Sequence, residues 1–384
     1  MLDFKIIKKS KKSRARIGIL KINNREIETP SFVPVATQAV IKSLKVDDVL
    51  STNTNILIAN TFHLHLKPGE KIIKKAGGLH KFMNWNKLIM TDSAGFQVFS
   101  LGFGKDFGVG KQLKYFPEKD FELVKSSQQP KEIKITSDGV FFKSLVDGKI
   151  LFIGPETSIK IQQDLGADII FAFDECTPPL AHKNYAIEAL ERTHRWAQIC
   201  IRTKTSNQAL FGIVQGSHFK DLRQYSAKFI NDLNFDGFGI GGDLGASKQM
   251  MKNILNWTIP YLNENKPRHL LGIGYLEDIE QIIKQGIDLF DCIVPTHYAR
   301  RGIAFINYKK PERLNLNQTK FLLDKNPIDK TCNCEVCQNY KRNYLTHLLH
   351  AKELTAYSLL TIHNLYFFNK FVDNIKQKIK KGII

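Results

Sequence analysis

The sequence predicts an α/β fold, a (β/α)8 TIM barrel with a small C-terminal subdomain, on three observations. Eight short apolar runs recur along the chain. Amphipathic stretches of helix length separate several of them, the alternation expected of βα units. The 384 residues leave room beyond the roughly 250 of a typical barrel for a satellite. A doubly wound open sheet is the competing architecture. No G-x-G-x-x-G follows the first apolar run to support it.

In order, the predicted barrel strands are 27–36, 56–60, 88–92, 168–174, 209–215, 235–242, 269–274 and 289–294. Each is a run of the length that a strand buried on both faces needs. The predicted helices are 155–165, 184–203, 219–233, 248–262 and 276–286, where apolar residues recur at helical spacing. The segment 102–134 has weak periodicity and reads as an insertion loop on the strand-end side. The expected division is a catalytic barrel over 1–315, with strands at its N-terminus, and a subdomain over 316–384 packed on it.

That subdomain holds Cys332, Cys334 and Cys337 in a C-x-C-x-x-C cluster, followed by His363. Three thiolates and one imidazole complete a tetrahedral structural zinc site, one per chain, with no position left for substrate. The metal should staple structure, so the chemistry must lie elsewhere. Cys176, Cys200 and Cys292 are scattered, a usage that suits a reducing compartment.

A basic excess of 56 Lys and Arg over 37 Asp and Glu gives a formal charge of +19, which draws polyanions to the surface. Apolar content of 43% is that of a globular chain, and no run of 18 apolar residues proposes a membrane span. The basic stretch 1–16 lacks the apolar region of a signal peptide. A cytoplasmic protein with no membrane partner is expected.

In a barrel of this kind, catalytic residues gather at the C-terminal ends of the strands. The predicted ends carry Asn60, Asp92, Asp174 with Glu175, Gln215, Gly241 with Gly242, Gly272 and Asp291. Two carboxylates flanking a glycosidic carbon can divide acid/base work from nucleophilic attack. A third can accept hydrogen bonds from the N–H groups of a planar base. A barrel glycosidase would also use two carboxylates, but a basic surface makes a neutral sugar polymer an odd substrate.

Met90-Thr91-Asp92-Ser93-Ala94-Gly95-Phe96-Gln97, Phe173-Asp174-Glu175-Cys176-Thr177-Pro178, Gly212-Ile213-Val214-Gln215-Gly216 and Phe290-Asp291-Cys292, with the Cys3His cluster, closely resemble the tRNA-guanine transglycosylases (queuine tRNA-ribosyltransferases) of bacterial type. Asn60-Thr61-Phe62-His63-Leu64, Asp138-Gly139-Val140-Phe141-Phe142 and Lys266-Pro267-Arg268 extend the likeness over nearly the whole chain. The resemblance implies exchange of guanine at the first anticodon position of a tRNA with a G-U-N anticodon for a 7-deazaguanine base. By it, Asp291 is the nucleophile and Asp92 the general acid and base. Asp174, Ser93, Gln215, Gly241 and Gly242 form the base site, with Phe96 and Leu271 covering the two faces of the base. Arg300 and Arg301 contact RNA, as does His297, which stands where the family usually has Arg. A homodimer is implied as well.

Two further departures and one match bear on the reading. Ala94 stands where the family has Gly, a change that a turn of negative φ would tolerate. Gly245 stands where enzymes using 7-aminomethyl-7-deazaguanine tend to have Val, and glycine there suits the bulkier queuine. Cys176 matches the aminomethyl users. The sequence therefore favours 7-aminomethyl-7-deazaguanine, with queuine the alternative and a non-catalytic tRNA-binding relative a further one.

Overall fold

The computed structural model describes residues 1–99, 133–144, 148–178, 181–242 and 247–384. The expected insertion 102–134 lies outside the described residues except for its last two positions, and Gly245 lies outside them too.

The chain starts with an antiparallel sheet of β1 (Leu2–Lys9), β2 (Arg16–Ile22) and β3 (Arg25–Thr29). Eight parallel strands then close into a barrel: β4 (Ser31–Ala36), β5 (Ile56–Ala59), β6 (Leu88–Thr91), β10 (Ile169–Phe171), β11 (Ala209–Val214), β12 (Gly237–Ile240), β13 (Arg268–Leu270) and β14 (Leu289–Cys292). Seven of the eight predicted runs contain a barrel strand, and the run 269–274 overlaps β13, which starts one residue earlier. The run 27–36 was expected to be one strand and is two. The chain breaks at the Thr29–Pro30 peptide, so β3 pairs with β2 while β4 joins β14 and β5. An apolar run cannot reveal which neighbours each half will find.

Alternation within the strands explains the unbroken apolar runs. Ile56 and Ile58, Leu88 and Met90, Ile169 and Phe171, and Phe211 and Ile213 form one buried cluster inside the barrel. Leu57, Ile89, Ile170 and Leu210 belong to the cluster between barrel and helices. Both faces of each strand are covered, so neither needs polar residues. Leu20, Ile22 and Ile27 of the N-terminal sheet join the interior cluster and close that end of the barrel. Buried Arg16 clips the sheet in place through Asp288, at 2.8 and 2.6 Å.

The outer helices Pro155–Leu165, Lys183–Thr203, Lys220–Asp232, Lys248–Thr258 and Leu276–Lys284 fall within a few residues of expectation. The last place in the ring is taken by the helix Leu354–Lys380, which comes after the cysteine cluster. Its Phe368 ring lies 5.3 Å from that of Phe32 on β4, its Asn369 donates to Thr52 O at 2.8 Å, and its Lys378 pairs with Glu280 at 2.8 Å. A second antiparallel sheet, β7 (Ile133–Ile135), β8 (Val140–Lys143) and β9 (Ile150–Ile153), was not anticipated. Residues 133 and 134 thus belong to a strand, where a loop was expected. Among the described residues no helix is long and apolar enough to cross a membrane.

Ala94 departs from expectation. Its φ is +69°, in the left-handed region. A side chain there costs about 1–2 kcal/mol relative to glycine, part of which glycine returns in unfolded-state entropy. Ala94→Gly is therefore expected to leave stability unchanged or raise it by up to about 1 kcal/mol, read from urea unfolding. A loss larger than that would show that the packing of the buried methyl group outweighs the backbone strain.

Candidate active site

Asp92 follows the last residue of β6, and the turn after it folds donors back onto its carboxylate. Ala94 N reaches Oδ1 at 3.2 Å and Gln97 Nε2 reaches Oδ2 at 3.1 Å. From the neighbouring strand end, Thr61 N donates to Oδ1 at 2.9 Å and Asn60 Nδ2 to Oδ2 at 2.6 Å. Asn60 serves twice, because its side-chain oxygen also caps the helix Thr61–Leu66 by accepting from His63 N at 3.0 Å. Burial nevertheless pushes the Asp92 carboxyl up to about 7. The amides of Thr61 and Ala94 pull it down, and the negative charge of Asp291 pushes it further up.

Asp174, beyond the end of β10, accepts from Ser93 Oγ at 2.9 Å and from Gln215 Nε2 at 2.6 Å. Burial raises its carboxyl to about 6, against the lowering effect of those two donors. Gln215 Oε1 is buried with no hydrogen-bond partner among the described residues. A Cβ at Gly242, where φ is +80°, would stand 2.1 Å from that oxygen, so only glycine lets the loop pass Gln215. Fully buried Arg223 ties these strand ends together, donating to Val214 O at 3.2 Å, Ser217 O at 2.6 Å and Gly241 O at 3.0 Å. Next to Asp174, buried Glu175 is held by Arg192 at 2.6 and 3.1 Å and by Tyr185 Oη at 2.7 Å.

Asp291 lies on β14 two residues after Leu289, on the strand face that points into the barrel. Its Oδ1 accepts from His269 Nε2 at 2.9 Å and from Gly272 N at 3.0 Å. Phe96 is 46% exposed, too open for a core residue. Leu271 is partly buried, and its Cδ1 lies 3.3 Å from where a Cβ on Gly241 would stand. His297 is on the short helix Val294–Ala299 directly after Asp291, and Arg300 and Arg301 follow that helix. Burial and the charges of Arg301 and Arg300 hold the His297 imidazole below its ordinary range. Arg300 Nη1 donates to Thr296 O at 2.8 Å.

The structure thus brings Asp92, Ser93, Asp174, Gln215, Gly241, Gly242, Leu271 and Asp291 to one rim of the barrel. Sequence reasoning passed over Gln97, Arg223 and His269. The trace of the last was a histidine in an otherwise apolar run. A separate cavity of about 370 Å³ is lined by Arg14, Arg16 and Arg268 at the other end of β13. Arg16 is spent there on Asp288, and Arg14 on Asn256 and Gln285.

Cys332, Cys334, Cys337 and His363 are all buried, and their ligand atoms lie within 4.8 Å of one another. The three sulfurs stand 3.9, 3.4 and 3.4 Å from His363 Nδ1. Tetrahedral zinc with ordinary bond lengths separates sulfur from nitrogen by about 3.6 Å, so the cluster fits a metal of that kind. His363 Nε2 donates to Phe305 O at 2.7 Å, which leaves Nδ1 as the free lone pair.

Comparison with known proteins identifies the family. The family model for queuine tRNA-ribosyltransferase matches residues 10–384. A protein of Archaeoglobus fulgidus, provisionally named a queuine tRNA-ribosyltransferase, is 47% identical over 379 residues, covering 96% of this chain and 94% of its own. The queuine tRNA-ribosyltransferase of Natranaerobius thermophilus is 42% identical, covering 98% of this chain and 95% of its own. That of Desulforamulus reducens is 43% identical, with 99% and 95% covered. The chain belongs to the queuine tRNA-ribosyltransferase family.

Proposed function

We propose that this chain exchanges guanine at the first anticodon position of tRNA for a 7-deazaguanine base, by double displacement through a covalent enzyme–RNA intermediate. It is a tRNA-guanine transglycosylase. The observation that carries the mechanism is the unequal environment of two carboxylates at one rim. Asp92 is buried and pushed up to about 7, so it can hold a proton near neutral pH. Asp291 has one oxygen held by two donors and, among the described residues, no donor on the other. Asp291 attacks the ribose, and Asp92 protonates the departing guanine and later takes a proton from the incoming base. Two displacements at one carbon retain its configuration.

Asp174, oriented by the hydrogen bonds from Ser93 and Gln215, accepts from the N–H groups of the base. One hydrogen of the Gln215 amide is used on Asp174, and the other serves the base carbonyl together with the Gly242 amide. Phe96 stacks on the base and Leu271 covers its far face. His297, Arg300 and Arg301 engage the anticodon loop, the arginines through planar forks suited to phosphate. The favoured base is 7-aminomethyl-7-deazaguanine, supported by Cys176; queuine is the alternative that Gly245 supports. The metal is zinc and structural, and it takes no part in the chemistry. Residues 316–384 form the zinc-binding subdomain on a barrel of 1–315, although the helix Leu354–Lys380 also completes the outer ring of that barrel. The enzyme works as a cytoplasmic homodimer.

The test is incorporation of labelled guanine into unmodified tRNA with a G-U-N anticodon. Exchange is expected, with 7-aminomethyl-7-deazaguanine competing better than queuine. Bound tRNA without exchange would favour the non-catalytic relative. The same assay reads pH dependence. Asp174 must be ionised to accept from the base, so kcat/KM falls as pH drops through about 6. Asp92 must be protonated to release guanine, so kcat/KM falls as pH rises through about 7. A narrow bell between those limbs is expected. A rate still climbing well above pH 8 would remove Asp92 as the acid.

A further inference from the structure

We propose that His269 is a positioning residue that selects which oxygen of Asp291 attacks the ribose, holding Oδ1 as a double acceptor and leaving Oδ2 as the nucleophile. The inference rests on the transglycosylase reading above and adds to it a residue and an atom.

His269 is the middle residue of β13 and is fully buried. Its ring faces the barrel interior, 5.5 Å from the ring of Phe171. Nε2 lies 2.9 Å from Asp291 Oδ1, whereas Nδ1 is buried with no hydrogen-bond partner among the described residues. A neutral imidazole carries one hydrogen, and a buried N–H without an acceptor costs about 1–3 kcal/mol. The hydrogen therefore belongs on Nε2, the nitrogen that has an acceptor. His269 is by this geometry a fixed donor.

Gly272 N donates to the same oxygen at 3.0 Å. Both donors converge on Oδ1, and among the described residues none stands on Oδ2. Hydrogen bonds draw negative charge toward the oxygen that accepts them, so the lone pairs of Oδ2 are the ones free to react. The two donors also fix the carboxylate plane, which a short aspartate on a strand would otherwise be free to rotate.

In the first displacement a lone pair of Oδ2 forms the bond to C1′ as the bond from C1′ to guanine N9 breaks. The bonding pair leaves with guanine, which takes the proton of Asp92. Oδ1 becomes the ester carbonyl and keeps both donors. In the second displacement the incoming base attacks C1′, the bond from C1′ to Oδ2 breaks, and its pair returns to Asp291. The proton shed by that base goes to Asp92. The donors on Oδ1 stabilise the carboxylate as it leaves, so one pair of hydrogen bonds serves both halves of the exchange.

The experiment compares His269→Phe, which keeps a ring and loses the donor, with His269→Gln, whose amide can reach the place of Nε2. Guanine exchange by His269→Phe is expected to fall about 10–100-fold in kcat with KM for tRNA nearly unchanged, as for a misplaced reacting group. His269→Gln is expected to recover most of that loss. Both variants are checked for melting temperature and metal content. Equal loss in two folded variants, or a full rate in His269→Phe, would overturn the proposal. A crystal structure of the wild-type adduct trapped on tRNA decides independently of either variant folding. An ester through Oδ2, with Oδ1 still facing His269, supports the proposal, and an ester through Oδ1 overturns it. Absence of exchange in the wild type would instead remove the transglycosylase reading on which this one stands.

Discussion

Asp291→Asn abolishes guanine exchange, with a loss in kcat on the order of 10⁴-fold, or about 5 kcal/mol of transition-state stabilisation. The substitution is nearly isosteric. The side-chain oxygen of asparagine can still accept from His269 and Gly272, the donors that hold Oδ1 now. What changes is the second position, where an amide nitrogen replaces the oxygen that no donor engages among the described residues. That nitrogen has given its lone pair to the carbonyl and does not attack carbon. Affinity for tRNA should stay within about threefold, because the lost interaction exists only along the reaction coordinate. The check is a pair of measurements. On a denaturing gel the wild type forms a covalent band with tRNA and the variant none; in a filter-binding titration the two bind alike. Exchange above about a tenth of the wild-type rate would mean that another group is the nucleophile.

Removing the metal should unfold the C-terminal region rather than stop the chemistry. Structural zinc contributes an apparent 10–16 kcal/mol in small domains at neutral pH, comparable to the whole stability of many proteins. Here the residues that could hold it join two distant pieces of chain. Cys332 and Cys334 come from the turn before the helix Glu335–Asn339 and Cys337 from its middle, while His363 comes from the helix Leu354–Lys380. The latter helix also packs Phe368 on Phe32 of the barrel wall, so loosening it opens the outer ring. Cys334→Ser, or treatment with a strong chelator, is expected to lower the melting temperature by on the order of 10 °C. Elemental analysis should give one zinc per chain before treatment. Activity should fall only as folded protein falls. A folded, metal-free protein that had lost activity in proportion to its zinc would overturn the structural role.

Much of this was legible in the sequence, for an identifiable reason. The strand runs, the helix stretches and the C-x-C-x-x-C cluster are local patterns, written in the period of a strand, the period of a helix and the donor chemistry of a metal. A barrel built from such units must place its strand ends at one mouth, so Asp92, Asp174, Gln215 and Asp291 could be gathered on paper. The sheet of β7, β8 and β9 was missed because its strands are short and flanked by a stretch of weak periodicity. The break at Thr29–Pro30 was missed because apolar content says that a residue is covered and not by what.

By itself, then, the sequence determined the class of fold, the four residues of the Cys3His cluster and the identity of the acids at the mouth of the barrel. Only the tertiary structure decided how those acids differ. The raised carboxyl of Asp92 comes from burial set against donors on two strand ends, Asn60 and Thr61 on one and Ala94 and Gln97 on the other. The positive φ of Ala94 and the capture of Asp291 Oδ1 by His269, 22 residues away in the chain, are likewise products of packing. Residue types are fixed by chemistry that a sequence carries, whereas proton affinity and orientation depend on what the folded chain brings within about 3 Å, and that distance exists only once the barrel has closed.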